Sequence, residues 1–260
     1  MRSEAHQGIH YAVVTGASSG IGKKAVESLL KAGAQVLATD VTDSLQTQHA
    51  GNPNVHVLIG DITQEGFAEQ VMAEATARFP AVDRVLHCAG IMPGGYVRDV
   101  DLEQTFRVLD INYGGTVRMV KAALPVLRGQ GRGQLVVLGS LTGYVPMQKF
   151  AAYSASKAAV ASYVEILAEE EKHSGVQVLL VAPTAVQTPL LAQADKGPKF
   201  IGELTGASAK LLMIQPEDVL EAIERGLRRG QSVVVPGGRL ALLGRRVSRT
   251  LAWAATNRFN

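Results

Sequence analysis

The chain has 260 residues, 47% of them hydrophobic and 19% charged, with a formal net charge of +3. That length and apolar content suffice for one large core and fit a single α/β domain. The lone cysteine excludes an intrachain disulfide framework, no Cys/His cluster offers a metal site, and no uncharged apolar run reaches the roughly eighteen residues a membrane-spanning helix needs.

Met1 to His10 is polar, lacks the apolar core of a signal peptide and reads as a flexible leader, residues 1–10. Tyr11-Ala12-Val13-Val14 then forms a short apolar, β-branched run, a buried strand that leads directly into Thr15-Gly16-Ala17-Ser18-Ser19-Gly20-Ile21-Gly22. Ala25, Leu29 and Leu30 follow on a helical period, and Gly33 stops the helix. Strand, glycine turn and helix start are the context in which a glycine motif reads as a dinucleotide site. Gly16 allows the tight turn, Gly20 lets backbone approach a pyrophosphate, and Gly22 permits helix to pack closely on strand. The helix N-terminus supplies N–H groups and a positive dipole end to the phosphates.

A second strand, Gln35 to Thr39, ends in Asp40, eighteen residues after Gly22 and where the adenosine ribose would lie. A carboxylate there accepts hydrogen bonds from free 2′ and 3′ hydroxyls and repels a 2′-phosphate, which favours NAD(H), with NADP(H) as the alternative. Asp40 as an ordinary strand-end residue is the competing reading. Val55 to Ile59 forms a third strand, followed by Asp61 and Ile62. Asp61 can bond the adenine amino group while Ile62 packs on its ring, or it can cap the next helix.

A fourth strand ends in Leu86-His87-Cys88-Ala89-Gly90, and a fifth is Leu135-Val136-Val137-Leu138. Helical stretches are predicted over Ala68 to Phe79, Leu102 to Leu127, Ala151 to His173, and Pro216 to Arg229 before the last strand. This alternation predicts a single α/β domain over residues 11–236, a doubly wound parallel sheet of Rossmann type. Ser140 falls at the carboxyl end of the fifth strand, where open α/β sheets place their ligands.

Thirteen residues beyond Ser140 stands Tyr153, and four further on Lys157. Helical spacing of four puts both side chains on one face, so an ammonium can lie beside a phenol. At roughly 4 Å and an effective dielectric near 20, that charge favours the phenolate by about 4 kcal/mol before desolvation opposes it. Tyr153 would thereby enter the range of general acid-base catalysis.

Together, Thr15 to Gly22, Asn112 in Asp110-Ile111-Asn112-Tyr113-Gly114-Gly115, the set Ser140, Tyr153 and Lys157, and Pro183 with Thr188 resemble the short-chain dehydrogenase/reductase family. The match runs in order from about residue 10 to residue 236. The resemblance implies an NAD(P)-dependent oxidoreductase of the CH–OH/C=O class. Tyr153 would move the proton, Ser140 orient the substrate oxygen, Lys157 tune Tyr153 and hold the nicotinamide ribose, and Asn112 link Lys157 to solvent through a water. It also implies cofactor contacts at Gly16, Ser18, Ser19, Gly20, Ile21, Gly22, Asp40, Asp61, Ile62, Ala89, Gly90, Tyr153, Lys157, Pro183, Val186 and Thr188, and a homodimer or homotetramer.

Two segments depart from the family pattern. His87 and Cys88 stand where relatives commonly carry two asparagines, so the strand must be braced differently; His87 reads as a satisfied core histidine and Cys88 as a buried small apolar residue. Thr184 stands where glycine is usual.

The apolar segments after Ser140 and Thr188, with Phe200, Leu204, Leu211 and Met213 beyond, suggest a lid over residues 188–213 and a hydrophobic ketone or secondary alcohol of lipid, steroid or aromatic type as substrate. Lys149, Lys196 and Lys199 are the cations able to hold an acid group if they turn inward. Packing at a subunit interface is the other use for these apolar residues.

From Arg225 to Asn260 there are eight arginines and no acid, leaving a charge of −5 on the rest. Residues 237–260 read as a basic, amphipathic, helical C-terminal extension, with Leu240, Leu243, Val247, Leu251 and Ala254 at helical spacing. It can pack on the protein or a subunit, or make peripheral membrane contact through 239–258; a nucleic-acid partner is not expected. The expected location is cytoplasmic, or peripheral at a membrane. A non-catalytic NAD-binding regulator and a membrane-recruited scaffold are the rival functions.

Overall fold

The computed structural model describes residues 8–194 and 213–237. Seven parallel strands form one sheet in the order β3-β2-β1-β4-β5-β6-β7. They are β1 (Tyr11–Thr15), β2 (Gln35–Asp40), β3 (Val55–Ile59), β4 (Arg84–His87), β5 (Gly133–Leu138), β6 (Val176–Val181) and β7 (Val233–Val234). The helices are α1 (Gly20–Lys31), α2 (Ser44–Gln48), α3 (Phe67–Arg78), α4 (Leu102–Leu109), α5 (Gly115–Gly129), α6 (Ala151–Glu170) and α7 (Pro216–Arg228).

Parallel strands need crossovers, and the crossovers bury both faces of this sheet. Val13, Leu37, Val85, Leu135 and Val137 point into a core shared with α3, α5 and α6. Their neighbours Ala12, Val14, Val36, Leu86 and Val136 point the other way, into a core shared with α1 and α7. The chain runs outward from β1 in both directions, so the order reverses between β1 and β4, and a crevice opens at their carboxyl ends. A buried ion pair, Arg84 with Glu224, ties β4 to α7 beneath it.

The doubly wound sheet is as expected, with two corrections of boundary. The stretch Leu102 to Leu127 is not one α-helix: Asp110–Gly114 forms a π-turn, in which Gly115 N–H donates to the Asp110 carbonyl. The fourth strand stops at His87, so Cys88, Ala89 and Gly90 belong to the loop beyond it. Strand β6, whose apolar run Val176–Val181 carries as clear a signal as β5, and the short α2 are not among the predicted elements. Residues 195–212 of the expected lid, and all but Gly237 of the basic extension, lie outside the described residues. Among those described, no helix is long and apolar enough to cross a membrane.

Candidate active site

The crevice at the β1/β4 switch is a cleft of about 740 Å³, lined by the glycine loop, the ends of β2, β4 and β5, and the start of α6. Of the sequence-derived site residues it gathers Gly16, Ser18, Ser19, Gly20, Ile21, Gly22, Asp40, Asp61, Ile62, Ala89, Gly90, Ser140, Tyr153, Lys157, Pro183, Val186 and Thr188. Asn112 is fully buried behind this wall.

The glycine loop is built by close approach. Gly16 has φ +65°, and a Cβ there would lie 2.8 Å from the Ala89 nitrogen, so the loop rests on the exit of β4. At Gly22 a Cβ would fall 2.1 Å from the Gly16 carbonyl oxygen; the residue closes the loop on itself rather than only seating helix on strand. Ser19 begins α1 without a side-chain cap, and no acid occupies the first turn, so the N-terminal N–H groups of α1 carry no competing carboxylate. Asp40 Oδ2 accepts from the Ser18 N–H at 3.0 Å and its hydroxyl at 2.8 Å, so the carboxylate also braces the loop. Asp61 Oδ1 accepts from the Thr63 N–H and hydroxyl, at 2.9 and 2.8 Å, within the loop that follows β3; the next helix begins at Phe67 after Gly66, so Asp61 does not cap it.

Tyr153 and Lys157 share a face of α6, as their spacing demands, and both are buried. Their geometry differs from a direct phenol–ammonium contact. Lys157 Nζ lies 5.9 Å from the Tyr153 ring centroid and donates to the Leu138 carbonyl at 2.8 Å. Burial therefore dominates: it pushes the Tyr153 pKa up, against a hydrogen bond with Ser140 that pulls it down. Burial also lowers the Lys157 pKa from 10.5 to about 8. Ser140 Oγ in turn accepts from the Thr142 hydroxyl at 2.9 Å.

Asn112 is fixed on three sides. Its Oδ1 accepts from Ile91 N–H at 2.9 Å, and its Nδ2 donates to the Ile91 carbonyl at 3.0 Å and to Ser156 Oγ at 2.9 Å. The π-turn presents this asparagine to both the β4 exit and α6. Its side chain is a brace rather than a direct partner of Lys157. Gly90 lies between the two, since a Cβ there would be 3.0 Å from Asn112 Oδ1 and 3.6 Å from Lys157 Nζ.

The unusual His87-Cys88 pair is accommodated through Thr15. The Thr15 hydroxyl accepts from the Cys88 and Ala89 N–H groups, both at 3.2 Å, and lies 2.8 Å from His87 Nδ1. With two N–H groups directed at its oxygen, Thr15 gives its own proton to Nδ1, which leaves the ring proton on Nε2. Nε2 is buried with no hydrogen-bond partner, so the histidine is only half satisfied. Cys88 is partly exposed and lines the cleft, a correction to its reading as a buried apolar residue; burial of its sulfur pushes the thiol up to about 12. Thr184 fits because Gly237 faces it: a Cβ at Gly237 would lie 2.3 Å from Thr184 Oγ1.

Burial, with the nearby Lys157 charge adding to it, lowers the His87 pKa from 6.5 to about 3. Between those values the unfolded chain binds the proton and the folded chain does not, so this stability is complete above pH 6.5 and is lost as pH falls toward 3. The slope approaches about 1.4 kcal/mol per pH unit. Urea titrations of wild type and His87→Asn at pH 6.5, 5.5 and 4.5 should show the variant losing less stability; parallel losses would contradict this assignment.

A family model described as short chain dehydrogenase matches residues 10–199. The chain belongs to the short-chain dehydrogenase family. Among relatives, L-fucose dehydrogenase of Mus musculus is 32% identical over 252 residues, covering 92% of this chain and 91% of that protein. An uncharacterized oxidoreductase of Staphylococcus saprophyticus is 31% identical over 230 residues, covering 86% and 93%. In solved structures, a short-chain type dehydrogenase/reductase from Mycobacterium ulcerans has a TM-score of 0.74 at 25% identity, covering 87% of each chain. A short-chain dehydrogenase/reductase from Burkholderia phymatum, crystallised in complex with NAD, has a TM-score of 0.78 at 20% identity, covering 91% and 92%, which shows the shared fold. Membership makes this short-chain dehydrogenase an oxidoreductase with a Rossmann-type, nucleotide-binding domain.

Proposed function

We propose that the protein interconverts a hydrophobic ketone and the corresponding secondary alcohol, with NAD(H) preferred over NADP(H) and Tyr153 as the proton-transfer residue. The observation that carries this reading is the convergence of Ser140, Tyr153 and Lys157 on one cleft with the glycine loop and the open N-terminus of α1. The loop and the helix end suit a diphosphate, Asp40 the adenosine ribose, and Asp61 and Ile62 the adenine. Lys157 would hold the nicotinamide ribose, Pro183, Val186 and Thr188 the nicotinamide end. The nicotinamide, when bound, supplies or accepts the hydride.

The chain's own residues handle the substrate oxygen. Ser140 and Tyr153 both line the cleft and place two hydroxyls where one oxygen is to be held. Because burial raises the Tyr153 pKa, the phenol keeps its proton at neutral pH and is suited to donate it during reduction. Lys157 holds a positive charge below pH 8, favouring negative charge that develops on the phenol oxygen. Asn112 positions the β4 exit and α6 relative to one another through Ile91 and Ser156.

The substrate end of the wall is apolar: Met92, Val145, Met147, Phe150, Leu190 and Leu191 line it. These side chains offer no partners to a ring of sugar hydroxyls, which favours a hydrophobic substrate over the sugar named for the murine relative. Initial rates with NADH and NADPH against a panel of aliphatic, steroid and aromatic ketones test the reading. Turnover only with polar polyols would overturn the substrate class. Asp40→Asn, which keeps the shape and removes the charge, should lower the NADH-to-NADPH ratio of kcat/KM by about tenfold. A wild type that strongly prefers NADPH would reverse the cofactor assignment.

A further inference from the structure

Four charged side chains line the cleft among the described residues: Asp40, Asp61, Lys157 and Arg107. The first three are engaged by the protein, Asp40 with Ser18 and Thr42, Asp61 with Thr63, and Lys157 with the Leu138 carbonyl. Arg107 differs: its guanidinium has no hydrogen-bond, ion-pair or ring partner among the described residues. Two acids share its helix stripe, Glu103 and Asp110; neither forms an ion pair with it among the described residues, and Asp110 is drawn to Arg118 at 2.8 Å.

Its position on α4 directs it to a ligand. Ile111, one turn further on, lines the same cleft. The adjacent Val108 is buried in an apolar cluster with Met92, Phe150 and Tyr153, which anchors α4 against the substrate end of the wall. Arg107 itself is exposed to the cleft and to solvent, so nothing in the folded core depends on it. A planar guanidinium with a fork of donors matches the two oxygens of a carboxylate or phosphate.

We propose that Arg107 binds an anionic oxygen group, a carboxylate or a phosphate, on a ligand lying in this cleft. The proposal rests on the oxidoreductase reading for what that ligand is: an otherwise apolar substrate bearing an acid group, or the cofactor through its phosphates. The glycine loop and the uncapped start of α1 already offer N–H donors to a diphosphate, and Val108 beside Arg107 packs on the apolar substrate end of the wall, which favours the substrate acid. Of the cations expected to hold an acid group, Lys196 and Lys199 lie outside the described residues, and Lys149 does not line the cleft as Arg107 does. Lys149 lies instead over the Tyr96 ring, 4.8 Å from its centroid.

The test is calorimetric titration of wild type, Arg107→Gln and Arg107→Lys with three probes: NADH, ADP, and, in the presence of NADH, a medium-chain keto acid compared with its methyl ester. Loss of one charge-assisted fork predicts about a tenfold to hundredfold weaker binding in Arg107→Gln, partly restored in Arg107→Lys, with an unchanged melting temperature. A loss confined to the keto acid assigns the group to substrate; a loss confined to NADH and ADP assigns it to the cofactor. Affinities within twofold of wild type for every probe, equal losses for acid and ester, or a wild type that binds none of the anions would overturn the proposal. Failure of the oxidoreductase reading shows separately, as absence of ketone-dependent NADH oxidation by wild type.

Discussion

Tyr153→Phe is expected to lower turnover by about a thousandfold while changing cofactor affinity by less than about twofold, because proton transfer by a positioned side chain contributes roughly 10²–10⁴ in rate. The ring packs edge-on against Phe150 at 5.9 Å between centroids, a contact phenylalanine preserves. What is lost is the hydroxyl that faces the cleft beside Ser140. Single-turnover kinetics and NADH fluorescence titration separate the two quantities. Retention of more than about a tenth of wild-type turnover would mean that another group moves the proton. The pH profile carries a second signature: ketone reduction should fall above about pH 8, as the Lys157 ammonium gives up its proton.

Lys157→Met should separate stability from function. The folded protein holds the Lys157 pKa near 8 against 10.5 unperturbed, so below pH 8 the buried ammonium costs about 3 kcal/mol, and the penalty fades as pH rises from 8 toward 10.5. Methionine removes the charge and fills the space, but leaves the Leu138 carbonyl without its donor, which takes back about 1 kcal/mol. The expected net gain at pH 7 is about 2 kcal/mol, or roughly 4–8 °C in melting temperature for a domain of this size, shrinking as pH rises. Turnover should fall by roughly a hundredfold or more, since the positive charge near the phenol is gone. Thermal melts of the cofactor-free protein at pH 7 and pH 9.5, beside steady-state rates, measure both. A variant less stable than wild type at pH 7 would show that Lys157 is a structural residue rather than one held at a cost for chemistry.

The sequence alone located most of this site. Strand followed by glycine turn followed by helix is a local pattern, and the serine, tyrosine and lysine positions are fixed by a strand end and a helical period of four. Arg107 escaped notice because a charge on an amphipathic helix carries no local mark of which surface it faces; only the packing of Val108 against Met92 and Phe150 turns it to the cleft. The π-turn was hidden for a similar reason. Asn112 leaves the regular helical ladder to bond Ile91 and Ser156, which are distant in sequence, and nothing in Asp110 to Gly114 alone encodes those partners.

Local rules therefore determined the doubly wound sheet and its order of elements, and placed the glycine turn, Ser140, Tyr153 and Lys157 on those elements, because backbone periodicity and glycine conformation are written in neighbouring positions. The tertiary structure decided the electrostatics. Whether Lys157 touches the phenol or the Leu138 carbonyl, and whether burial or charge sets the Tyr153 and His87 pKa values, depends on distances and desolvation between segments that meet only on folding.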